Sequence, residues 1–297
     1  VASALASLQW EAVLPPLEAG AILPAMPIHD LPLVLRHLRH LSPTQFVLEL
    51  DGAEIAADCS AGQFVMTTVG EDGAPLLRRP MAIYRIRRDD AGQVTGFSIL
   101  VEVVGLGTGM LQQRQPGDIL HVLGPLGTAF QMPAPGVPAS EHLLVMGGVG
   151  AAPFPLLAER LLAEGHVVRA FIGARTAELL LCVEDFEELG VPVELSTDDG
   201  TRGYHGLVTD TLDRHLRQRG EGPATLYACG PVPMMRAVDQ IARRDDLPLQ
   251  VSFEAPMACG LGACLSCVIK LRDGEGWSYR RVCKEGPVFD SREVIWE

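Results

Sequence analysis

Through the first half of the chain, short runs with apolar residues at alternate positions are separated by turn-forming residues. The runs cover 33–40, 45–50, 63–68, 81–87, 94–104 and 118–122, and this pattern predicts half-buried strands. Ser42-Pro43, Asp51-Gly52, Asp72-Gly73 and Pro116-Gly117 stand between them, residue types that reverse the backbone at little steric cost. Six short strands of this kind predict an antiparallel barrel.

Beyond residue 142 the grammar changes. Apolar runs at 143–146, 167–172, 193–196 and 226–228 alternate with helical patterns at 153–164, 183–189, 208–218 and 232–243. That alternation predicts a parallel sheet with helices on both faces, which binds ligands at the carboxyl ends of its strands. Three prolines and a glycine over 133–140 interrupt both patterns and read as the linker. The fold class is therefore β plus α/β: a six-stranded antiparallel barrel over 31–140, a parallel-sheet domain over 141–250 and a small C-terminal unit over 251–297. Residues 1–30 are apolar and proline-bearing, and the first Lys or Arg is Arg36. They are expected to form an irregular extension rather than a signal peptide, which starts with positive charge.

At 297 residues and 47% hydrophobic content the chain can build two cores and an appendage. The formal net charge of −13 argues against nucleic acid or an anionic membrane as partner, since either favours a basic face. No window holds 18 uninterrupted apolar residues, so no membrane span is expected. Cys59, Cys182 and Cys229 are scattered and odd in number, a usage that fits the reducing cytoplasm better than a disulfide framework.

The other four cysteines carry the chemistry. Cys259, Cys264, Cys267 and Cys283 are spaced C-x4-C-x2-C-x15-C, and the first three match the plant-type [2Fe-2S] spacing. Gly260, Gly262, Ala263 and Ser266 leave room for backbone amides to approach bridging sulfides. Zinc is the rival for four thiolates, but zinc ribbons usually present two C-x2-C pairs and this chain has one. Structural cysteines are the plainest alternative, and four of seven falling within 25 residues counts against it.

Three further motifs lie at strand ends. Gly147, Gly148, Gly150 and Pro153 follow the run at 143–146 and precede a helix. Such a turn can present amides to a pyrophosphate, although glycine there can also serve geometry alone. Cys229, Gly230, Pro231 and Met234 follow the run at 226–228; a small cysteine and a glycine would let a flat nicotinamide lie against a flavin, or they simply end a buried strand. Arg78 and Arg79 precede the barrel strand at 81–87, where an arginine can pair with phosphate or be merely a solvated face.

Together these motifs make a resemblance specific. Gln63-Phe64-Val65, Arg79-Pro80-Met81-Ala82-Ile83, Gly105-Leu106-Gly107-Thr108, Gly124-Pro125-Leu126-Gly127, the glycine turn, Thr197-Asp198-Asp199-Gly200 and Cys229-Gly230-Pro231 occur in the order of the ferredoxin-NADP reductase superfamily. With Met257 to Cys264 and Val282 to Phe289 added, the chain resembles the electron-transfer subunits of B-type dihydroorotate dehydrogenases over about residues 33–289. The resemblance implies that the barrel binds FAD, the α/β domain binds NAD, and the cysteine loop holds a [2Fe-2S] cluster facing a separate FMN-containing catalytic subunit, in a heterotetramer of two of each. Carried over position by position, it implies FAD contacts at Arg79, Pro80, Met81, Ala82, Leu100, Val101, Glu102, Gly107 and Thr108. It implies nicotinamide-nucleotide contacts at Gly148, Gly150, Asp198, Cys229 and Gly230, and cluster ligands at Cys259, Cys264, Cys267 and Cys283.

One departure stands out: the family's Arg-Pro-Ile-Ser becomes Arg-Pro-Met-Ala here, so Ala82 lacks a hydroxyl expected near the flavin ring. Asp198 and Asp199 stand where relatives that select the 2′-phosphate place basic residues, which implies NAD rather than NADP, unless both merely make the turn before Gly200. The implied function is electron transfer in pyrimidine biosynthesis, with no catalytic acid, base or nucleophile required of this chain. Two other readings share its parts: the flavin subunit of a soluble hydrogenase or transhydrogenase, and a non-enzymatic iron-sulfur redox sensor.

Overall fold

Six antiparallel strands close a barrel in the order β1-β2-β5-β4-β3-β6. They are β1 (His29–His40), β2 (Gln45–Asp51), β3 (Phe64–Thr67), β4 (Arg79–Arg88), β5 (Val94–Glu102) and β6 (Ile119–Leu126). The structure is a computed structural model and describes residues 27–70, 75–220 and 222–296. The Asp72-Gly73 turn and most of the expected N-terminal extension lie outside the described residues.

Alternation sends Leu35, Leu48, Leu50, Phe97, Ile99 and Leu120 into the barrel, where none is exposed to solvent. Burying each such side chain stabilises the fold by about 1.5–3 kcal/mol. Gly96 lets β5 close on β2, because a Cβ there would stand 2.0 Å from the carbonyl oxygen of Leu50. Two short helices, α1 (Ala53–Asp58) and α2 (Leu106–Gln112), were not anticipated, since one or two turns are too few to establish a helical period. The α1 residue Ile55 is completely buried in the core.

The second layer is a sheet built on β7 (Glu141–Gly147), β8 (Val167–Ala174), β9 (Val193–Thr197), β10 (Tyr204–His205), β11 (Ala224–Cys229) and β12 (Leu249–Ser252), all paired in parallel. Among the described residues four α-helices cover it: α3 (Phe154–Ala163), α4 (Val183–Glu188), α5 (Val208–Gln218) and α6 (Val232–Arg244). Leu144, Met146, Ala170 and Ile172 pack with Leu157, Leu161 and Phe186 of α3 and α4. The residues between them, Leu143, Val145 and Phe171, cluster with Val208 and Leu212 of α5 and Met235 and Val238 of α6. Helices therefore lie on both faces, as the alternation of elements predicts.

After the cysteine loop, β13 (Val268–Asp273) and β14 (Gly276–Arg281) form a hairpin, and β15 (Val288–Asp290) pairs antiparallel with β12. The sheet thus runs β10-β9-β8-β7-β11-β12-β15, parallel but for one edge strand supplied by the C-terminal segment. This segment is also tied to the barrel. The Thr128 N–H donates to the Gly286 carbonyl at 2.6 Å, and the Thr128 hydroxyl to that of Val288 at 3.3 Å. Strands β10, β12 and β15, at two to four residues each, are too short to leave a periodic signature in the sequence.

Beneath the amino end of the sheet, the His142 imidazole is buried between the Ser140 hydroxyl at 3.0 Å and the Tyr227 hydroxyl at 3.1 Å. Burial, then the neighbouring His166, push its pKa down to about 4. Since the ordinary value is near 6.5, the unfolded chain takes up this proton first on acidification. Stability conferred by the neutral ring is complete above about pH 6.5 and falls as pH drops toward 4, by roughly 2–3 kcal/mol. Thermal unfolding followed from pH 7 to 4 should show that loss, and His142→Asn should flatten the slope over that window. Separately, Gly96→Val should destabilise the barrel by about 3 kcal/mol or more through overpacking, read as a lowered melting temperature.

Candidate redox site

The barrel, the sheet and the C-terminal segment meet at a cleft of about 390 Å³. The barrel contributes Pro80, Met81 and Ala82 from the start of β4, Leu100, Val101 and Glu102 from the end of β5, and Thr108 from α2. Opposite them stand Val149, Ala152 and Pro153 of the glycine turn and Cys229 at the carboxyl end of β11. A third wall, Ser252 through Met257, leaves the end of β12 and leads into the cysteine loop.

Arg79 does not line the cleft. Its guanidinium lies across Gly107, where a Cβ would come within 2.7 Å of Nε, and donates to the Leu77 carbonyl at 2.5 Å. This keeps a fixed planar cation beside α2, suited to a diphosphate. The Thr108 hydroxyl is engaged by its own loop, accepting from the Val104 N–H at 2.9 Å. With Ala82 in the barrel wall, the side-chain hydroxyls among the described residues that line the cleft are those of Thr108 on that wall and Ser252 on the third.

In the glycine turn Gly150 and Gly148 have separate geometric reasons. Gly150 packs on the end of β11, since a Cβ would stand 2.6 Å from the Cys229 carbonyl oxygen and 2.7 Å from the Gly230 Cα. Gly148 has φ +56 and nothing within 4 Å of where a Cβ would point. Its backbone therefore borders open space, a cradle that a nucleotide diphosphate could fill. Asp198 is exposed at the end of β9, away from the cleft, with its N–H on the Ala174 carbonyl. Asp199 makes the turn, its carboxylate accepting from the Thr201 N–H at 3.0 Å and hydroxyl at 2.6 Å.

The third wall escaped sequence reasoning. Glu254 lines the cleft while remaining open to solvent at its rim, and partial desolvation by the walls, followed by Glu102 across the gap, raises its carboxyl above the usual range. Burial, then Glu254, likewise raises the Cys229 thiol, so that thiol is a neutral, polarisable wall rather than a nucleophile. The only sequence signal for this wall was its position immediately before Cys259.

Two residues past Met257 the cysteine loop begins. It packs on the barrel: Gly260, with φ +71, lies so close to β3 that a Cβ would be 2.6 Å from Met66 Cγ. Arg281 anchors the other side, donating to the Gly262 carbonyl at 2.9 Å while Glu285 accepts from its Nε at 2.9 Å. Cys267 and Cys283 are buried, Cys259 is half-buried and Cys264 is exposed. Among the described residues no three His, Cys, Asp or Glu side chains converge as for a single metal ion. The thiols are close enough to act on one another's protonation, Cys264 with Cys259 and Cys283 with Cys267. Backbone N–H groups of Leu261 and Cys283 point at the sulfurs of Cys259 and Cys267, both at 3.4 Å.

Hydrogen bonds from Ser266, first its hydroxyl and then its N–H, lower the Cys264 pKa to about 6, so this exposed group is a ready thiolate. Burial, then Cys267, push Cys283 up to about 12, and its proton must leave when metal binds. Four soft donors in two pairs, with amides aimed at sulfur, fit a cluster of two irons carrying two thiolates each.

Residues 254–295 match the iron-sulfur cluster binding domain of dihydroorotate dehydrogenase B, and residues 144–240 match an oxidoreductase NAD-binding domain. The electron transfer subunit of dihydroorotate dehydrogenase B (NAD(+)) from Desulforamulus reducens is 38% identical over 257 residues, covering 86% of this chain and 95% of that protein. The chain belongs to this family of electron-transfer subunits. The same subunit from Bacillus cereus strain Q1 is 37% identical over 265 residues, covering 89% and 97% of the two chains. Among solved structures, that of an NADH-dependent reduced ferredoxin-NADP oxidoreductase, studied for flavin-based electron bifurcation, superposes with a TM-score of 0.75 at 28% identity, covering 90% and 91%. A Neisseria gonorrhoeae ferredoxin NADP+ reductase with bound FAD and NADP shares the fold at 15% identity and a TM-score of 0.60, covering 73% and 91%. The matched domains are an iron-sulfur cluster binding domain and an NAD-binding domain, and no described helix is long and apolar enough to cross a membrane.

Cys264→Ser should remove the cluster while leaving the barrel able to hold FAD, because a hydroxyl is a poor ligand for these irons. Iron and acid-labile sulfide should fall to background with flavin per chain unchanged; full retention of iron would contradict the assignment.

Proposed function

We propose that this chain carries electrons from the FMN of a dihydroorotate dehydrogenase catalytic subunit to NAD+, in the pyrimidine pathway of the cytoplasm. The partner is an FMN-containing subunit, assembled with this chain as a heterotetramer of two of each. When bound, the cluster supplies single-electron transfer, and FAD supplies the conversion of single electrons into the two-electron hydride that nicotinamide accepts.

The observation that carries the reading is continuity. Ser252 through Met257 form one wall of the cleft, and the same segment runs into Cys259. Each seat has its own residues. Residues 31–140 hold FAD: Arg79 orients its diphosphate, while Pro80, Met81, Ala82, Leu100, Val101 and Glu102 shape the slot for its ring. Residues 141–250 hold NAD: Gly148 and Gly150 admit its diphosphate, Cys229 and Gly230 leave room for its nicotinamide, and Asp198, outside the cleft at the end of β9, meets the ribose of its adenosine half. In 251–297 the four thiolates of Cys259, Cys264, Cys267 and Cys283 hold the cluster. No side chain of this chain needs to act as acid, base or nucleophile. Identity of about 38% across 95% of a family member favours this reading over the hydrogenase, transhydrogenase and sensor readings.

Leu261 and Leu265 are exposed on the cysteine loop, an apolar choice that suits a partner surface better than water. Leu261→Glu should weaken the complex while sparing NADH-dependent dye reduction through FAD. Stoichiometric co-purification and undiminished coupling of dihydroorotate oxidation to NAD+ reduction by this variant would place the interface elsewhere. The aspartates at 198 and 199 should repel a 2′-phosphate, so kcat/KM for NADH should exceed that for NADPH by roughly tenfold or more. Equal use of the two would reject the nucleotide assignment.

A further inference from the structure

Strand β4 carries the flavin-slot residues Pro80, Met81 and Ala82 at its start. Two residues further on, it is bound to the other domain. The Tyr84 hydroxyl donates to the Asp185 carboxylate of α4, and Arg85 Nη1 donates to the other oxygen of the same carboxylate at 2.8 Å. Arg85 Nε donates to Glu159 of α3 at 3.2 Å. Helix α3 follows directly from the glycine turn, so one guanidinium joins the strand that shapes the flavin slot to the helix behind the nucleotide cradle.

The environment makes these contacts stringent. Tyr84 is 3% exposed, and the side chains of Asp185 and Arg85 are 13% and 30% exposed. Burial, then Cys182 and Asp185, hold the phenol far above its ordinary range, so it remains a donor. Removing one member of such a set strands a desolvated charge or hydroxyl.

A second observation lies beside the first. Cys182, the residue preceding α4, has φ +64 and is buried. A side chain in the left-handed region costs free energy and persists only where its surroundings hold it. This bend starts α4 so that Asp185, in its first turn, reaches Tyr84 and Arg85.

We propose that Tyr84 and Arg85 are positioning residues, clamping the barrel to α3 and α4 through Glu159 and Asp185 so that the flavin and nicotinamide seats keep a fixed separation. The proposal rests on the reading that the barrel holds FAD and the sheet holds NAD. Hydride transfer tolerates little misplacement of the reacting groups, so loosening this clamp should slow the reaction more than it weakens binding.

The test uses the full chain loaded with FAD and cluster, as Tyr84→Phe, Asp185→Asn, Arg85→Met and the Arg85→Met/Asp185→Asn double variant. Bound FAD per chain and the NADH dissociation constant should stay within about twofold of the parent. Flavin reduction by NADH in a single turnover should slow by roughly tenfold or more. Amide hydrogen exchange should rise over residues 183–188 and 84–88 without rising in β7 or β11. The double variant should be no slower than the worse single, as for groups acting as one unit. Tyr84→Phe preserves ring and volume and keeps the test intact should Arg85→Met fold poorly. Unchanged hydride transfer and exchange in Tyr84→Phe and Asp185→Asn would overturn the proposal, as would slowing that only tracks lost FAD. Failure of NADH to reduce FAD in the unaltered protein would overturn the proposed function itself, an outcome distinct from a dispensable clamp.

Discussion

Three units have to bring their working edges to one place, and the seam between them, across which the buried clusters run, is the constraint on which this molecule depends. Electrons that arrive singly and leave as a hydride need cofactor seats in close succession. The chain meets that need by covalent continuity on one side and close backbone packing on the others. One segment walls the cleft and then enters the cysteine loop; Gly260 lies against Met66 of the barrel, and Gly150 lies against the Cys229 carbonyl. At both glycines a methyl group would collide with what lies opposite, so the separation of the seats is written into residues that have no side chain.

The seam also explains where polar groups are placed. Arg85 spends its donors across the boundary on Glu159 and Asp185, and Arg281 spends its own on Gly262 and Glu285 beside the cluster loop. Thr128 reaches from the barrel to Gly286 and Val288. Apolar packing is non-directional, whereas charge-assisted hydrogen bonds fix orientation. The hydrophobic clusters themselves run across the boundaries between the units, and these contacts aim what the clusters hold together.

Much of this was legible in the sequence because it is periodic or spaced. Strands in which Leu48, Leu50, Phe97 and Ile99 alternate with outward residues announce a barrel, and helices as long as α5 and α6 announce themselves between strands. The cysteine spacing pointed to two irons, and the family relationship agrees with it. What stayed hidden was short or non-local. Strands β10 and β15 have two and three residues, and β15 pairs with a strand that precedes the cysteines. The Glu254 wall and the Arg85 contacts join residues far apart in the chain, and no local pattern encodes such meetings. Likewise Arg79 and Gly107 were legible as motif residues, but only the fold shows the guanidinium lying across the glycine.

The central claim is that electrons pass between nicotinamide and the cysteine loop by way of the flavin seat. Its most direct measurement is an anaerobic titration of the loaded chain with NADH, following flavin absorbance and the paramagnetic signal of the reduced cluster together. The account predicts that flavin bleaches, that the cluster signal appears, and that removing FAD abolishes the cluster signal while leaving iron content unchanged. Reduction of the cluster by NADH in protein stripped of FAD would contradict it.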